Sequence, residues 1–222
     1  MSDNKSAYNA DIYDEHIVNV LPYYKEYHDQ AIGIVMNMGV KAPKWLDTGC
    51  GTGTLAKEAL ERIPDARFTL CDPSEKMLDL AKHKLNDHDV RFFNTPSDEL
   101  DFDNEFNVVT AIQSHHYLDE AGREIAVRNC YRALIDGGVF ITFENIRMSA
   151  DESDAIALKR WVEFLEKHGN SPADIQMHIE RRGKEVFPIT IGKHIEVLKK
   201  CGFRSADLLW SSYLQAGFWA IK

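Results

Sequence analysis

The chain lacks the marks of several large protein classes. Its four cysteines, Cys50, Cys71, Cys130 and Cys201, lie far apart and form no Cys-x-x-Cys pair, which removes the usual ligand spacing of a zinc site and any disulfide framework. Reduced thiols and no bound metal are expected. No apolar run approaches the ~20 residues that cross a bilayer, and the opening Met-Ser-Asp-Asn-Lys-Ser has no apolar leader segment. A cytoplasmic protein with no membrane partner is therefore expected. Basic residues are in the minority, 26 Lys and Arg against 35 Asp and Glu for a net charge of −9, which argues against a surface devoted to nucleic acid but not against a local basic patch. There is no internal repeat, low-complexity stretch or linker. What remains, 222 residues with 44% hydrophobic and 27% charged side chains, suits a single one-core domain spanning 1–222.

The most informative stretch is Trp45 to Ala56, reading Trp-Leu-Asp-Thr-Gly-Cys-Gly-Thr-Gly-Thr-Leu-Ala: an apolar approach, an acid, three alternating glycines and a helix opening. This predicts a strand, a tight turn and a helix, with glycines where the backbone needs positive φ or a ligand comes close. A dinucleotide fingerprint needs glycine at position 54, where Thr54 stands, so NAD and FAD are disfavoured. A triphosphate loop needs lysine directly after a glycine, and neither Lys44 nor Lys57 is so placed.

The remaining elements follow in order. Residues 1–40 read as a helical lead-in, with Pro22 able to open a helix, Tyr24, Tyr27, Ala31, Ile34, Val35 and Met38 at helical spacing, and Gly39 closing it. Tyr8 and Tyr13 stand upstream as candidate lid residues. A second strand, 66–72, ends in Asp72, about 20 residues beyond the glycines, where a carboxylate can accept ribose hydroxyls. Pro73-Ser74 and the stripe Met77, Leu78, Ala81, Leu85 predict a capped helix. A short strand over 90–94 precedes a turn containing Ser97 and Asp98. Phe106 to Ile112 is a nearly continuous apolar run, as expected of a strand covered on both faces, and the polar cluster Gln113-Ser114-His115-His116-Tyr117 follows at its carboxyl end. A helix to Leu134, the turn Asp136-Gly-Gly138 and a strand from Val139 to Asn145 come next. Residues 147–189 interrupt the alternation with two amphipathic helices, read as a cap over the ligand end, or else as an oligomer interface. A helix from Thr190 and an antiparallel hairpin, 206–213 with 215–222, complete the chain.

Asp47-Thr48-Gly49-Cys50-Gly51-Thr52-Gly53 resembles motif I of the class I S-adenosylmethionine (SAM) dependent methyltransferases, whose form is acid-x-Gly-x-Gly-x-Gly. The resemblance implies an α/β, Rossmann-like sheet of seven mostly parallel strands in the order 3-2-1-4-5-7-6. It also implies a SAM pocket with S-adenosylhomocysteine as product, built from Asp47, Gly49, Cys50, Gly51 and Gly53 at the turn, Asp72 and Pro73 at the ribose, Met77, Ser97 and Asp98 at the adenine, and Gln113 below the sulfonium. Pro96 replaces the acid usual at the adenine turn.

His116 is a candidate general base, with His115 or Tyr13 orienting the acceptor; equally, each histidine could bond the backbone or cover the adenine. The acceptor is expected to be a small molecule, and a homodimer is possible. Much of the chain also resembles the tRNA wobble-uridine carboxymethyltransferases, which use carboxy-SAM and hold its carboxylate with an arginine in the insertion; Arg181 or Arg182 falls near that position. That makes tRNA the alternative partner. A non-catalytic SAM-binding protein and a Rossmann-like oxidoreductase are the readings of other classes.

Overall fold

Buried strands alternate their side chains between two faces, and both faces are covered here. In the computed structural model, which describes residues 9–222, seven strands form one sheet: β1 (Lys44–Thr48), β2 (Arg67–Cys71), β3 (Arg91–Phe93), β4 (Phe106–Ile112), β5 (Leu134–Asn145), β6 (Ser205–Ser212) and β7 (Gln215–Ile221). Their order is β3-β2-β1-β4-β5-β7-β6. The first five pair in parallel, while β7 runs antiparallel to both β5 and β6. Trp45, Val108 and Ile141 belong to one apolar layer and their neighbours Leu46, Val109 and Phe140 to the other. Each such side chain contributes roughly 1.5–3 kcal/mol relative to exposure.

The helices are α1 (Tyr13–Val20), α2 (Tyr24–Asn37), α3 (Thr54–Arg62), α4 (Glu75–Lys84), α5 (Glu120–Ala133), α6 (Asp151–Lys167), α7 (Pro172–Arg181) and α8 (Ile191–Lys200). Their starts follow capping chemistry. Ser74 accepts the Met77 N–H, Thr190 accepts the Lys193 N–H, and Ser171 with Asp174 forms a reciprocal capping box ahead of Pro172.

Two boundaries differ from the sequence expectation. The lead-in breaks into α1 and α2 because Pro22 sits in a turn and Tyr23 takes a left-handed conformation, φ 61°. Strand β5 begins at Leu134 rather than Val139: Leu134 pairs with Phe106, and the register then shifts so that Val108 meets Val139. Tyr8 lies outside the described residues.

The insertion 147–189 holds α6 and α7, and specific bonds fix them to the body. Trp161 Nε1 donates to the Val20 carbonyl at 3.0 Å, and Asn170 Nδ2 to the Asn19 carbonyl at 2.9 Å. Arg182 reaches both oxygens of Asp154 at 3.0 and 3.1 Å and the Ile146 carbonyl at 3.1 Å. These contacts hold α1, α6 and α7 beside the carboxyl ends of β4 and β5. No described helix is long and apolar enough to cross a membrane.

Candidate active site

The three glycines of the turn do different work. Gly49, Gly51 and Gly53 all have positive φ, 67°, 54° and 75°, so each avoids a strain of about 1–2 kcal/mol that a side chain would bring. A Cβ on Gly49 would lie 2.4 Å from Ser114 Cβ, and one on Gly53 would press on Ala81 of α4 at 3.1 Å. A Cβ on Gly51 would meet nothing within 4 Å. Gly49 and Gly53 therefore serve packing, while the main chain of Gly51 borders open space. The Gly49 and Cys50 N–H groups bond the Cys71 carbonyl at 2.8 and 3.0 Å, which joins the turn to the end of β2.

There the Asp72 carboxylate accepts the Gly51 N–H at 2.8 Å through Oδ2 and the Ser74 N–H at 2.9 Å through Oδ1. It lines a cavity of about 110 Å³ together with Gly49, Gly51, Pro73 and Met77, with Ser97 and Asp98, and with Gln113 and Tyr13. Ser97 is fixed by Thr48 at 2.8 Å, and Asn129 Nδ2 donates to the carbonyls of Ser97 and Asp98. Backbone contacts thus secure the turn where Pro96 stands.

Three residues expected at the cofactor do not line this cavity. Asp47 is buried beneath it and accepts from Thr110 Oγ1 at 2.7 Å; Thr110 in turn accepts from Trp45 Nε1 at 2.9 Å. Burial pushes the Asp47 carboxyl up to about 7, against the Thr110 hydrogen bond and with the help of nearby Asp72. The Cys50 thiol contacts the Gly51 carbonyl, and Gly53 packs on α4.

A second cavity, of about 70 Å³, adjoins the first and shares Tyr13, Gln113 and Tyr117 with it. His116, Asn145, Trp161, His178, Arg181 and Arg182 complete much of its wall. Burial drives the Tyr13 phenol well above its usual range, and neighbouring Tyr24 and Tyr117 add to the shift, so Tyr13 meets a ligand as an O–H donor. Of the two arginines, Arg182 is engaged by Asp154 and Ile146. Arg181 bonds Glu185 at 2.6 Å, lines the second cavity and lies 6.0 Å from the ring of Tyr117, which borders both cavities.

The paired histidines separate. His116 lines the second cavity, whereas His115 lines neither. His115 is buried against Phe140, with ring centroids 6.0 Å apart and no hydrogen-bond partner on either nitrogen. Burial lowers it to about 4, so it stays neutral near pH 7. The expected orienting role of His115 is corrected accordingly: the 3-10 turn His115–Tyr117 presents only one imidazole to the cavity. Sequence reasoning missed Glu144, Asn145 and Gln215, which bond around His116 and Gln113. Glu144 was detectable as a charge inside an otherwise apolar strand.

The first cavity fits a nucleoside with a vicinal diol. Its carboxylate is pre-oriented by two backbone N–H groups, an apolar Met77 is at hand for a base, and Gly51 leaves main chain exposed to the remaining substituent.

Residues 46–138 match the family described as Methyltransferase domain. Over 218 residues the chain is 28% identical to the carboxy-S-adenosyl-L-methionine synthase of a Nitratiruptor species, covering 96% of this chain and 90% of that protein. Over 106 residues it is 31% identical to the malonyl-[acyl-carrier protein] O-methyltransferase of Acetivibrio thermocellus, covering 47% of this chain and 37% of that one. Among solved structures it resembles the magnesium protoporphyrin IX methyltransferase of Synechocystis PCC 6803 with bound S-adenosylhomocysteine, with a TM-score of 0.66, 14% identity and coverage of 92% and 85%. Residues 46–138 thus match a methyltransferase domain, and motif and strand order agree with the architecture of the class I S-adenosylmethionine-dependent methyltransferases.

Proposed function

We propose that the chain transfers the SAM methyl group to a small acceptor bearing an anionic group, seated in the cavity beneath α6 and α7. One observation carries this reading: a second cavity adjoins the nucleoside cavity and shares Tyr13, Gln113 and Tyr117 with it. Its volume of about 70 Å³ suits a metabolite rather than a nucleotide within a folded RNA. Arg181 supplies a guanidinium suited to a carboxylate or phosphate. Bound SAM supplies an electrophilic methyl on a cationic sulfur. The protein's own residues hold the nucleoside through Asp72, align the acceptor from Tyr13, Arg181 and Asn145, and exclude water under the cap. The test is SAM consumption with a small-metabolite fraction and, separately, with a tRNA fraction, each followed by mass spectrometry. A methylated metabolite supports the reading; turnover with tRNA alone overturns it.

A second reading is that the bound nucleoside is carboxylated SAM, as ligand or product. The carboxy-SAM synthase of Nitratiruptor matches nearly the whole chain, and Arg181 lines the second cavity beside Tyr117, which borders both cavities. Weighing the nucleoside that copurifies decides between the two readings.

A further inference from the structure

His116 is held on both ring nitrogens, and the two holds agree on where its proton sits. Nδ1 lies 3.0 Å from Glu144 Oε2, which also accepts the His116 backbone N–H at 2.8 Å. Thr142 Oγ1 lies 2.5 Å from the other carboxylate oxygen and 2.8 Å from the Ala111 carbonyl, its single proton shared between the two acceptors. Three donors converge on a side chain that is 1% exposed, the arrangement that keeps a buried carboxylate ionised. Burial raises its pKa, but the His116 hydrogen bond together with the charges of His116, His115 and His194 outweighs that and holds Glu144 down at about 2. An ionised carboxylate only accepts, so Nδ1 carries the proton. The Asn145 backbone N–H also approaches Nδ1, but at 3.5 Å, so the carboxylate at 3.0 Å is the partner that counts.

The other nitrogen is read from a ring of three carboxamides. Gln113 Nε2 donates to Gln215 Oε1 at 3.0 Å, Gln215 Nε2 to Asn145 Oδ1 at 2.7 Å, and Asn145 Nδ2 to Gln113 Oε1 at 3.3 Å. Each amide gives and accepts once, and flipping all three closes the ring in the opposite sense, so the Nδ1 proton donated to Glu144 selects the sense in which Asn145 presents N–H. Asn145 therefore offers N–H to His116 Nε2 at 3.2 Å. Nε2 is an acceptor on the wall of the second cavity.

We propose that Glu144 is a positioning residue that fixes His116 as the Nδ1–H tautomer, whose Nε2 exchanges the Asn145 N–H for the proton of the acceptor, and that the acceptor is consequently protic at the atom alkylated, a hydroxyl or an N–H. This rests on the function proposed above. The acceptor proton passes to Nε2, and the pair it leaves forms the new bond to carbon. The pair of the broken carbon–sulfur bond stays on sulfur, and Glu144 compensates the imidazolium. The other charged or titratable groups around this pair are His115 and Tyr117 on the same turn, Arg123 of α5, Arg181 of α7 and His194 of α8. None of them is a hydrogen-bond partner of Nδ1 or Nε2 among the described contacts.

The experiment is nitrogen-15 NMR of the histidine rings in the full chain, with and without S-adenosylhomocysteine, His116 being assigned by its loss in His116→Ala. Wild-type His116 is expected to carry its proton on Nδ1 at neutral pH. In Glu144→Gln the ring should pass to a mixture of tautomers. In Asn145→Ala the Nδ1–H form should persist. A His116 proton on Nε2 in the wild-type protein overturns the proposal, whatever the variants do. Failure of S-adenosylhomocysteine to bind would instead overturn the proposed function and leave the tautomer standing. The metabolite product should bear methyl on oxygen or on nitrogen that began with a proton; methyl on a sulfide or tertiary amine overturns the protic acceptor.

Discussion

Gly49 and Ser114 are in such close contact that a methyl group on Gly49 would lie 2.4 Å from Ser114 Cβ. The glycine turn after β1 and the polar turn after β4 are therefore mutually fitted, and the nucleoside cavity lies where they meet. Gly49→Ala should displace both, weakening S-adenosylhomocysteine binding at least tenfold and lowering Tm by several degrees. Gly51→Ala should separate the two effects. Its Cβ meets nothing in the protein, so the fold should lose only about 1–2 kcal/mol from the positive φ, while ligand affinity falls comparably to Gly49→Ala. Calorimetric titration beside thermal melts checks both.

Asp72 is the residue proposed to hold the nucleoside. Asp72→Asn removes the charge and one of the two acceptors that hold Gly51 and Ser74. Hydrogen bonds to a charged group contribute about 1.5–3 kcal/mol, so S-adenosylhomocysteine affinity should drop roughly 10- to 100-fold. Equal affinity in the variant would refute the ribose assignment.

Acid should destabilise the fold through its buried imidazoles. Burial lowers His115 and His194 to about 4, below the ordinary unfolded value of about 6.5. Between those values the unfolded chain binds the extra proton, so stability is full above 6.5 and is lost as pH falls toward 4. Asp47, raised to about 7, works in the opposite direction over part of the same range and blurs the wild-type curve. A difference measurement removes it. His194→Leu keeps the stacking position against Phe218 apolar, and between pH 7 and 5 it should lose about 2 kcal/mol less than wild type in urea unfolding. Parallel curves would show that His194 is not buried neutral.

Asp47 should couple nucleoside binding to pH. Its carboxyl, held at about 7 by burial, lies beneath a cavity proposed to receive a cationic sulfur, and a nearby positive charge favours the ionised form. Binding of SAM near pH 7 should release protons, seen as a binding heat that varies with the buffer's ionisation enthalpy. Affinity should weaken by up to about fivefold from pH 7 to 6. In Asp47→Asn both effects should vanish.

The sheet was legible because its strands announce themselves. Phe106 to Ile112 is apolar enough to need cover on both faces, and the glycines place a turn after Thr48 without reference to anything distant. The helix starts at Ser74, Ser171 and Thr190 were equally local. Less visible was Tyr23, since nothing in its neighbours demands a left-handed backbone there. Adjacent His115 and His116 look equivalent in the sequence, but a 3-10 turn sends successive side chains different ways, and only one reaches the cavity. Hardest to foresee was the carboxamide ring: Gln113 and Gln215 are 102 positions apart, and they meet only because β7 inserts beside β5. Glu144 could have been found by asking what neutralises a charge in the middle of a buried strand.

That insertion also sets a schedule for synthesis. Of the seven strands of this sheet β7 is made latest, yet it occupies an inner place, between β5 and β6. Until it has emerged and docked, β5 has an unpaired edge and the amides around His116 lack Gln215. A nascent chain stalled before residue 215 should therefore expose a sticky strand and recruit chaperones, because the wall around His116 is completed by the latest-made strand of the sheet.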